Sequence, residues 1–292
     1  TFNDAQLRTI EKISKHYMHP IGIVFEAFLP TILRKAKTQL DLNKYSSDVC
    51  DLDINKDNFH ELTFDQKSCL DKIRKNQDET LLFGVTSSGK TEIYKHYIES
   101  LLLTGKSALV LVPEIFLTPQ IYDQFKRNFN DSVLIYHSGL TELQRYKVWL
   151  AAQDKKPKII IGTRSAIFLP IKNLGTIIFD EEHDQSYKQQ DGFRYDARNL
   201  AKIIFGNIAK IIYSSATPSL NILQNVNENL IQSLSLKKRI SKSPMPKIEV
   251  HAINKKKLKG GISFELIDEI KKNNEKGNQT LILLNRRGYA PV

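Results

Sequence analysis

The chain has 292 residues and a formal net charge of +11, with 43 Lys and Arg against 32 Asp and Glu. At 41% hydrophobic and 26% charged residues it reads as a soluble globular chain of one large domain or two smaller ones; no apolar run reaches the ~18 residues of a membrane span. Nothing at the start reads as a signal peptide, and the two distant cysteines, Cys50 and Cys69, form no C-x-x-C pair, so a reducing cytoplasm is the expected setting.

Taken in order, residues 5–17 place Leu7, Ile10, Ile13 and Tyr17 at helical spacing, and Pro20 closes that helix. Residues 22–33 are mostly apolar and interrupted by Pro30, and residues 35–61 are polar, as a linker would be. From residue 62 to 223 strands and helices alternate. Strands are expected at 80–83, 108–112, 132–135, 158–161, 176–179 and 210–213, with helices at 92–103, 118–129 and 142–152. Several of these strands are continuous apolar runs, the signature of strands buried on both faces, which predicts an α/β fold with a mostly parallel, doubly wound sheet. Residues 224–246 are polar and basic and read as an inter-domain connection; residues 247–253, 264–274 and 280–284 then read as strand, helix and strand, the beginning of a second α/β domain. The charge follows this division, with 29 Lys and Arg against 27 Asp and Glu up to Leu236 and 14 against 5 from Lys237 onward. A polyanion partner and a solvated lysine-rich face both fit such an excess.

Two motifs carry chemistry. Gly84-Val85-Thr86-Ser87-Ser88-Gly89-Lys90-Thr91 fits G-x-x-x-x-G-K-[ST] between a predicted strand and a predicted helix. Backbone N–H groups in such a loop converge on one point, and the helix N-terminus adds partial positive charge. Lys90 is placed to reach the β- and γ-phosphates of ATP, and the Thr91 hydroxyl to ligate Mg²⁺. Downstream, the apolar strand 176–179 ends in Asp180-Glu181-Glu182-His183. Three adjacent acids repel one another and need a cation; Asp180 is expected to hold Mg²⁺, Glu181 to orient or deprotonate the attacking water, and His183 to sense the γ-phosphate. Ser214-Ser215-Ala216-Thr217-Pro218 ends a further apolar strand, where small hydroxyl residues can link the acidic cluster to a neighbouring loop.

The order P-loop, Asp-Glu-x-His, Ser-Ala-Thr resembles the first RecA-like domain of a superfamily 2 helicase. Further strings narrow the resemblance: Val112-Pro113-Glu114-Ile115 with Leu117-Thr118-Pro119-Gln120, His137-Ser138-Gly139-Leu140, Gly162-Thr163-Arg164-Ser165-Ala166, Ser186-Tyr187-Lys188-Gln189-Gln190, and Asn285-Arg286-Arg287-Gly288-Tyr289-Ala290-Pro291. From about residue 62 to the end these are similar to the PriA family of bacterial primosomal replication-restart DNA helicases. Residues 1–36 resemble the tail of that family's amino-terminal DNA-binding region.

That resemblance implies an ATP-dependent 3′ to 5′ DNA helicase that uses Mg²⁺, acts on single-stranded and forked DNA, and works with primosome and single-strand-binding proteins. It also implies a monomer in the bacterial cytoplasm, associated with the nucleoid. Gln66 would contact adenine, and Thr118 with Gly162, Thr163, Arg164 and Ser165 would contact DNA phosphates. Tyr187, Lys188, Phe193, Arg194 and Tyr195 would form an aromatic-rich loop that couples DNA to ATP hydrolysis; aromatics that stack on any base, interleaved with cations, suit sequence-indifferent tracking. Ser87 stands where the family usually has glycine, and there is no room between Leu33 and Leu62 for its winged-helix domain. With no initiator Met, and without the family's zinc-binding cysteines and the arginine that completes the ATP site from the second domain, the chain is expected to be a piece of a longer protein. Zn²⁺ is expected only beyond it. An ATP-gated DNA-binding module without turnover is the alternative from another class, with RNA helicase and restriction translocase as minor ones.

Overall fold

Aliphatic runs without polar alternation fit strands whose two faces are both covered, and the molecule uses them in that way. In the computed structural model, which describes residues 2–34, 52–76, 79–113, 118–240, 247–252 and 258–283, the chain divides into two units, Thr1–Lys242 and Ser243–Val292. The first contains a seven-stranded sheet of β1 (Thr80–Gly84), β2 (Ser107–Leu111), β3 (Val133–Tyr136), β4 (Ile159–Gly162), β5 (Leu174–Phe179), β6 (Lys210–Ser215) and β7 (Gln232–Leu236). Their spatial order is β3-β4-β2-β5-β6-β1-β7, and every pairing is parallel. Six of the seven strands were expected, each within two residues of its observed bounds.

Period-two alternation splits each strand between two apolar layers. Leu81, Leu109, Leu111, Ile160, Ile177, Phe179, Ile211 and Tyr213 face one layer, whereas Leu82, Ala108, Val110, Ile159, Ile161, Ile178 and Ile212 face the other. On the second side lie residues of α4 (Phe64–Lys75), α5 (Lys90–Leu102) and α6 (Thr118–Phe129). The first side receives α1 (Asp4–Tyr17), α2 (Ile21–Ala27), α8 (Ala197–Phe205) and α9 (Leu220–Asn227), while α3 (Thr31–Arg34) packs against α7 (Glu142–Gln153).

Three boundaries differ from the sequence reading. The amino-terminal helices, expected as the remnant of a separate DNA-binding region, bury Ile10, Ile13 and Val24 in the same core layer as the strands, and Trp149 Nε1 donates to Phe28 O at 3.1 Å. Of the expected linker, residues 35–51 lie outside the described residues, but Leu52, Ile54 and Phe59 pack on the α4–α5 layer. The expected connection 224–246 contains β7, which pairs with β1 over five positions and buries Leu234 and Leu236. Its serines and glutamine face outward, so only a two-residue alternation marks it as an edge strand.

In the second unit the predicted helix is present as α10 (Phe264–Glu275), capped by Ser263. It follows a short antiparallel pair, β8 (Leu258–Lys259) and β9 (Ile262–Ser263). Neither expected flanking strand forms among the described residues; 247–252 and 280–283 belong to no helix or strand and have no ladder partners, and a strand is held by its neighbours. The string 285–291 lies outside the described residues. No helix among the described residues is long and apolar enough to cross a membrane.

Candidate active site

Strand order decides what meets. β1, β6 and β5 are neighbours, so the P-loop after β1, the serines closing β6 and the acids after β5 emerge side by side at the carboxyl edge of the sheet. In a parallel α/β sheet that edge is where ligands bind.

The P-loop turns through two left-handed residues, Ser87 at φ 63° and Gly89 at φ 80°. Val85 N–H is held by Leu236 O at 3.2 Å, Ser87 O accepts from Ile240 N–H at 3.0 Å, and Ser88 Oγ is buried without a hydrogen-bond partner among the described residues. Thr86 is exposed, and Thr91 occupies the first turn of α5. Lys90 Nζ donates to Gly84 O at 2.9 Å, folding its ammonium back into the loop. Gln66 is committed elsewhere than the sequence reading placed it. Its Oε1 accepts from Thr63 N–H in the capping box of α4, its Nε2 donates to Ser88 O at 3.0 Å, and the side chain is buried. The amide therefore braces the phosphate loop with one N–H and one lone pair. Gly89 admits this bracing: a Cβ there would lie 2.2 Å from Gln66 Nε2. Gly89→Ala combines that clash with a left-handed backbone, and thermal unfolding should report a loss of about 1–2 kcal/mol.

The three acids diverge. Glu181 adopts φ 46°, and this left-handed turn sends its two neighbours to opposite sides. Asp180 faces α5, where Tyr94 Oη donates to its Oδ1 at 3.1 Å; Tyr94 also contacts Ser214 Oγ. Burial first, then the neighbouring Glu181 charge, raise the Asp180 pKa, while Tyr94 and Lys90 pull it down. The same burial lifts the Tyr94 phenol well above its ordinary range. Glu182 goes inward and is fully buried: Arg198 donates to its carboxylate at 3.2 Å, and Ser219 donates from Oγ at 2.7 Å and N–H at 3.1 Å. The cation that answers Glu182 is thus Arg198, leaving Asp180 and Glu181 as the pair open to a metal and a water. His183 Nδ1 lies 2.8 Å from Ser215 Oγ and 3.5 Å from Glu181 Oε2, which joins the acidic turn to the serine turn.

The expected DNA residues divide by environment. The Thr118 side chain, like Glu114, Ile115 and Leu117, lies outside the described residues. Gly162 closes β4 where a Cβ would meet Tyr136 O at 2.3 Å, and Thr163 N–H donates to that carbonyl at 3.2 Å. Arg164 donates to Ser186 O at 2.7 Å, and Ser165 is half-buried beside it. The aromatic-rich loop is a small hairpin, with Gln189 N–H bonded to Tyr195 O at 2.8 Å. Its rings, expected to stack on bases, are turned inward in this structure. Tyr187, Phe193 and Tyr195 are 0%, 9% and 7% exposed, too little to offer a face to a base. Phe193 instead meets Tyr17 and His19 edge-on at 5.8 and 5.2 Å, and Tyr187 Oη donates to Leu111 O at 2.7 Å and to Asp180 O. Of the five residues expected to contact DNA there, Lys188 and Arg194 face solvent. Alternation of aromatics with cations suggests a binding surface, but in a hairpin it equally sorts rings inward and charges outward.

Sequence reasoning missed Tyr94, Arg198 and Ser219. Tyr94 had a signal, since it follows Lys90 by four residues on one helix face; Arg198 and Ser219 had none local to the acidic string.

Residues 63–226 match the DEAD/DEAH box helicase family. The replication restart protein PriA of Haemophilus influenzae is 49% identical over 213 residues, covering 73% of this chain and 29% of that protein. PriA of Rickettsia felis is 36% identical over 290 residues, covering 98% of this chain and 43% of that protein, so the chain spans less than half of either relative. The Hef helicase domain of Pyrococcus furiosus is similar in structure with a TM-score of 0.49 and 20% identity, over 63% of this chain and 40% of that one.

Proposed function

The chain belongs to the DEAD/DEAH box helicase family, with PriA replication restart proteins among its relatives, and from that premise we propose that it is the ATP-binding part of an ATP-dependent DNA helicase of replication restart. One observation carries the reading: a P-loop lysine, two open carboxylates and a histidine–serine contact converge at three adjacent strand ends. In this reading Lys90 leaves Gly84 O for the β- and γ-phosphates, while loop N–H groups take the remaining oxygens. Glu181 orients the water in line with the γ-phosphate, and Asp180 is held facing the nucleotide by Tyr94. The residues suit a divalent cation, because Asp180 is a half-buried carboxylate crowded by a like charge and Thr91 offers a hydroxyl from the first turn of α5. Mg²⁺ bound there by Thr91 and Asp180 would neutralise charge on the β- and γ-phosphates.

Through Ser215, His183 ties the acidic turn to the serine turn after β6, and at the end of β4 Gly162, Thr163 and Arg164 would meet DNA. Lys188 and Arg194 add cations on the hairpin, with the buried Tyr187, Phe193 and Tyr195 as its frame. Polarity of 3′ to 5′, primosome and single-strand-binding partners, action as a monomer and a place in the nucleoid-bearing cytoplasm complete the proposal, on the strength of the resemblance. Any zinc site belongs outside these residues.

ATP hydrolysis by the full-length protein, measured with forked DNA, single-stranded DNA and RNA of the same sequence, tests it. Stimulation by DNA is expected. Equal stimulation by RNA would replace the DNA reading, and nucleotide and DNA binding with no turnover would leave the ATP-gated binding module. Lys90→Ala should weaken binding of a fluorescent ATP analogue about 10- to 100-fold, the worth of one charge-assisted hydrogen bond, with an unchanged circular dichroism spectrum.

A further inference from the structure

The His137–Leu140 string has no part in the chemistry above. In the structure it follows β3, and Ser138 lines a cavity of about 270 Å³ bounded by the α2–α3 turn, the start of α7, the Gly162–Ser165 loop and the 189–195 hairpin. Two arginines line it, Arg145 on α7 and Arg34 at the end of α3. Arg145 Nε is buried and has no hydrogen-bond partner among the described residues. A guanidinium stays charged at every physiological pH and is best met by an anionic acceptor; with Nε itself enclosed, that acceptor meets the part of Arg145 that lines the cavity. The other walls supply hydroxyl donors, Tyr136, Ser138 and Ser165. Burial raises the Tyr136 phenol while Arg145 and Arg34 both pull against the rise, which brings the two cations and the phenol to one place.

Two acids limit the charge. Glu26 pairs with Arg34 at 3.2 Å, and Asp191, exposed, stands on the rim. Glu26 takes up Arg34 and solvent screens Asp191, so the charge left to be met is that of Arg145, which suits a singly charged anion rather than a dianion.

We propose that this cavity holds one backbone phosphodiester of the DNA strand, gripped by Arg145 with Arg34 as second donor. The assignment rests on the reading that the strand crosses the Gly162–Ser165 loop, whose Ser165 is one of the cavity walls. It gives a DNA-binding role to α7 and to the amino-terminal helices, neither of which carries a helicase motif.

The test is the salt dependence of binding. Anisotropy of a fluorescent oligo-dT with the full-length protein, between about 50 and 200 mM salt, gives a log–log slope that scales with the phosphates neutralised, about 0.7 for each in a single strand. Arg145→Gln should flatten the slope by about that much, Arg145→Lys should keep it, and affinity for a fluorescent ATP analogue should not change. Arg34→Gln, at an exposed position, supplies the second variant should Arg145→Gln fail to fold, and a similar flattening is expected. Inorganic phosphate at matched ionic strength should not displace the oligonucleotide; displacement would mean a free-phosphate site instead. If the wild-type protein binds DNA and both Gln variants keep its slope, the cavity assignment is wrong while the helicase reading stands. If the wild-type protein does not bind DNA at all, that reading fails first and the assignment with it.

Discussion

Glu181→Gln is expected to stop ATP turnover without loosening the nucleotide. The carboxamide keeps the size and the left-handed turn of the native residue but cannot accept a proton, so hydrolysis by the full-length protein should fall by the ~10² to 10⁴ associated with losing a general base. Binding should persist because Lys90 and the loop N–H groups are untouched. His183 should keep its contact with Ser215 at 2.8 Å, so DNA binding should also persist. A steady-state ATPase assay beside a fluorescent-nucleotide titration gives the two numbers. A loss of nucleotide affinity as large as that of Lys90→Ala would mean that Glu181 holds the ligand rather than the water.

One residue further on, the outcome reverses. Glu182→Ala should leave little to assay, because it removes the anion from a buried ion pair. Arg198 then loses a carboxylate partner inside the protein, keeping Asp196 at 2.6 Å, and the N–H and hydroxyl of Ser219 lose their acceptor. Breaking one side of such a pair costs about 3–5 kcal/mol. In a domain of this size that lowers the melting temperature by on the order of 10 °C, readable by calorimetry. Glu182→Gln can still accept from Ser219 and should recover part of the loss. A Glu182→Ala protein that melts within a degree or two of wild type would mean that the third acid is not a structural anchor.

These neighbours show what the sequence could and could not reveal. The string Asp180-Glu181-Glu182 announces a cation, and the strand before it fixes which edge of the sheet it joins. It does not say that a left-handed residue splits the three, since φ is not written in a one-dimensional pattern. Arg198 meets Glu182 across 16 positions through a hairpin, and no local spacing signals such a contact. The strands were legible because their burial on both faces leaves aliphatic runs such as Ile159-Ile160-Ile161. β7 escaped because an edge strand buries only Leu234 and Leu236 and fills its open face with serine. The rings of Tyr187, Phe193 and Tyr195 mislead for a related reason: alternation tells that two faces differ, not which one meets solvent. Gln66 was assigned by resemblance alone, and its capping-box geometry shows where the amide is used.

The position of β1 in the sheet also bears on how the chain is made. Thr80 pairs with Ile212 on one side and Gln232 on the other, partners 132 and 152 positions later in the chain. A ribosome adding roughly 5–20 residues each second needs on the order of ten to thirty seconds to supply them. During that interval β2, β4 and β5 can already associate, because their partners are separated by far less chain. The phosphate-loop strand waits with Leu81 and Leu82 uncovered. Nucleotide competence is therefore acquired last, when residues 210–236 close around β1, and a nascent chain interrupted before that point exposes an unpaired aliphatic strand of the kind that chaperones hold and that otherwise aggregates.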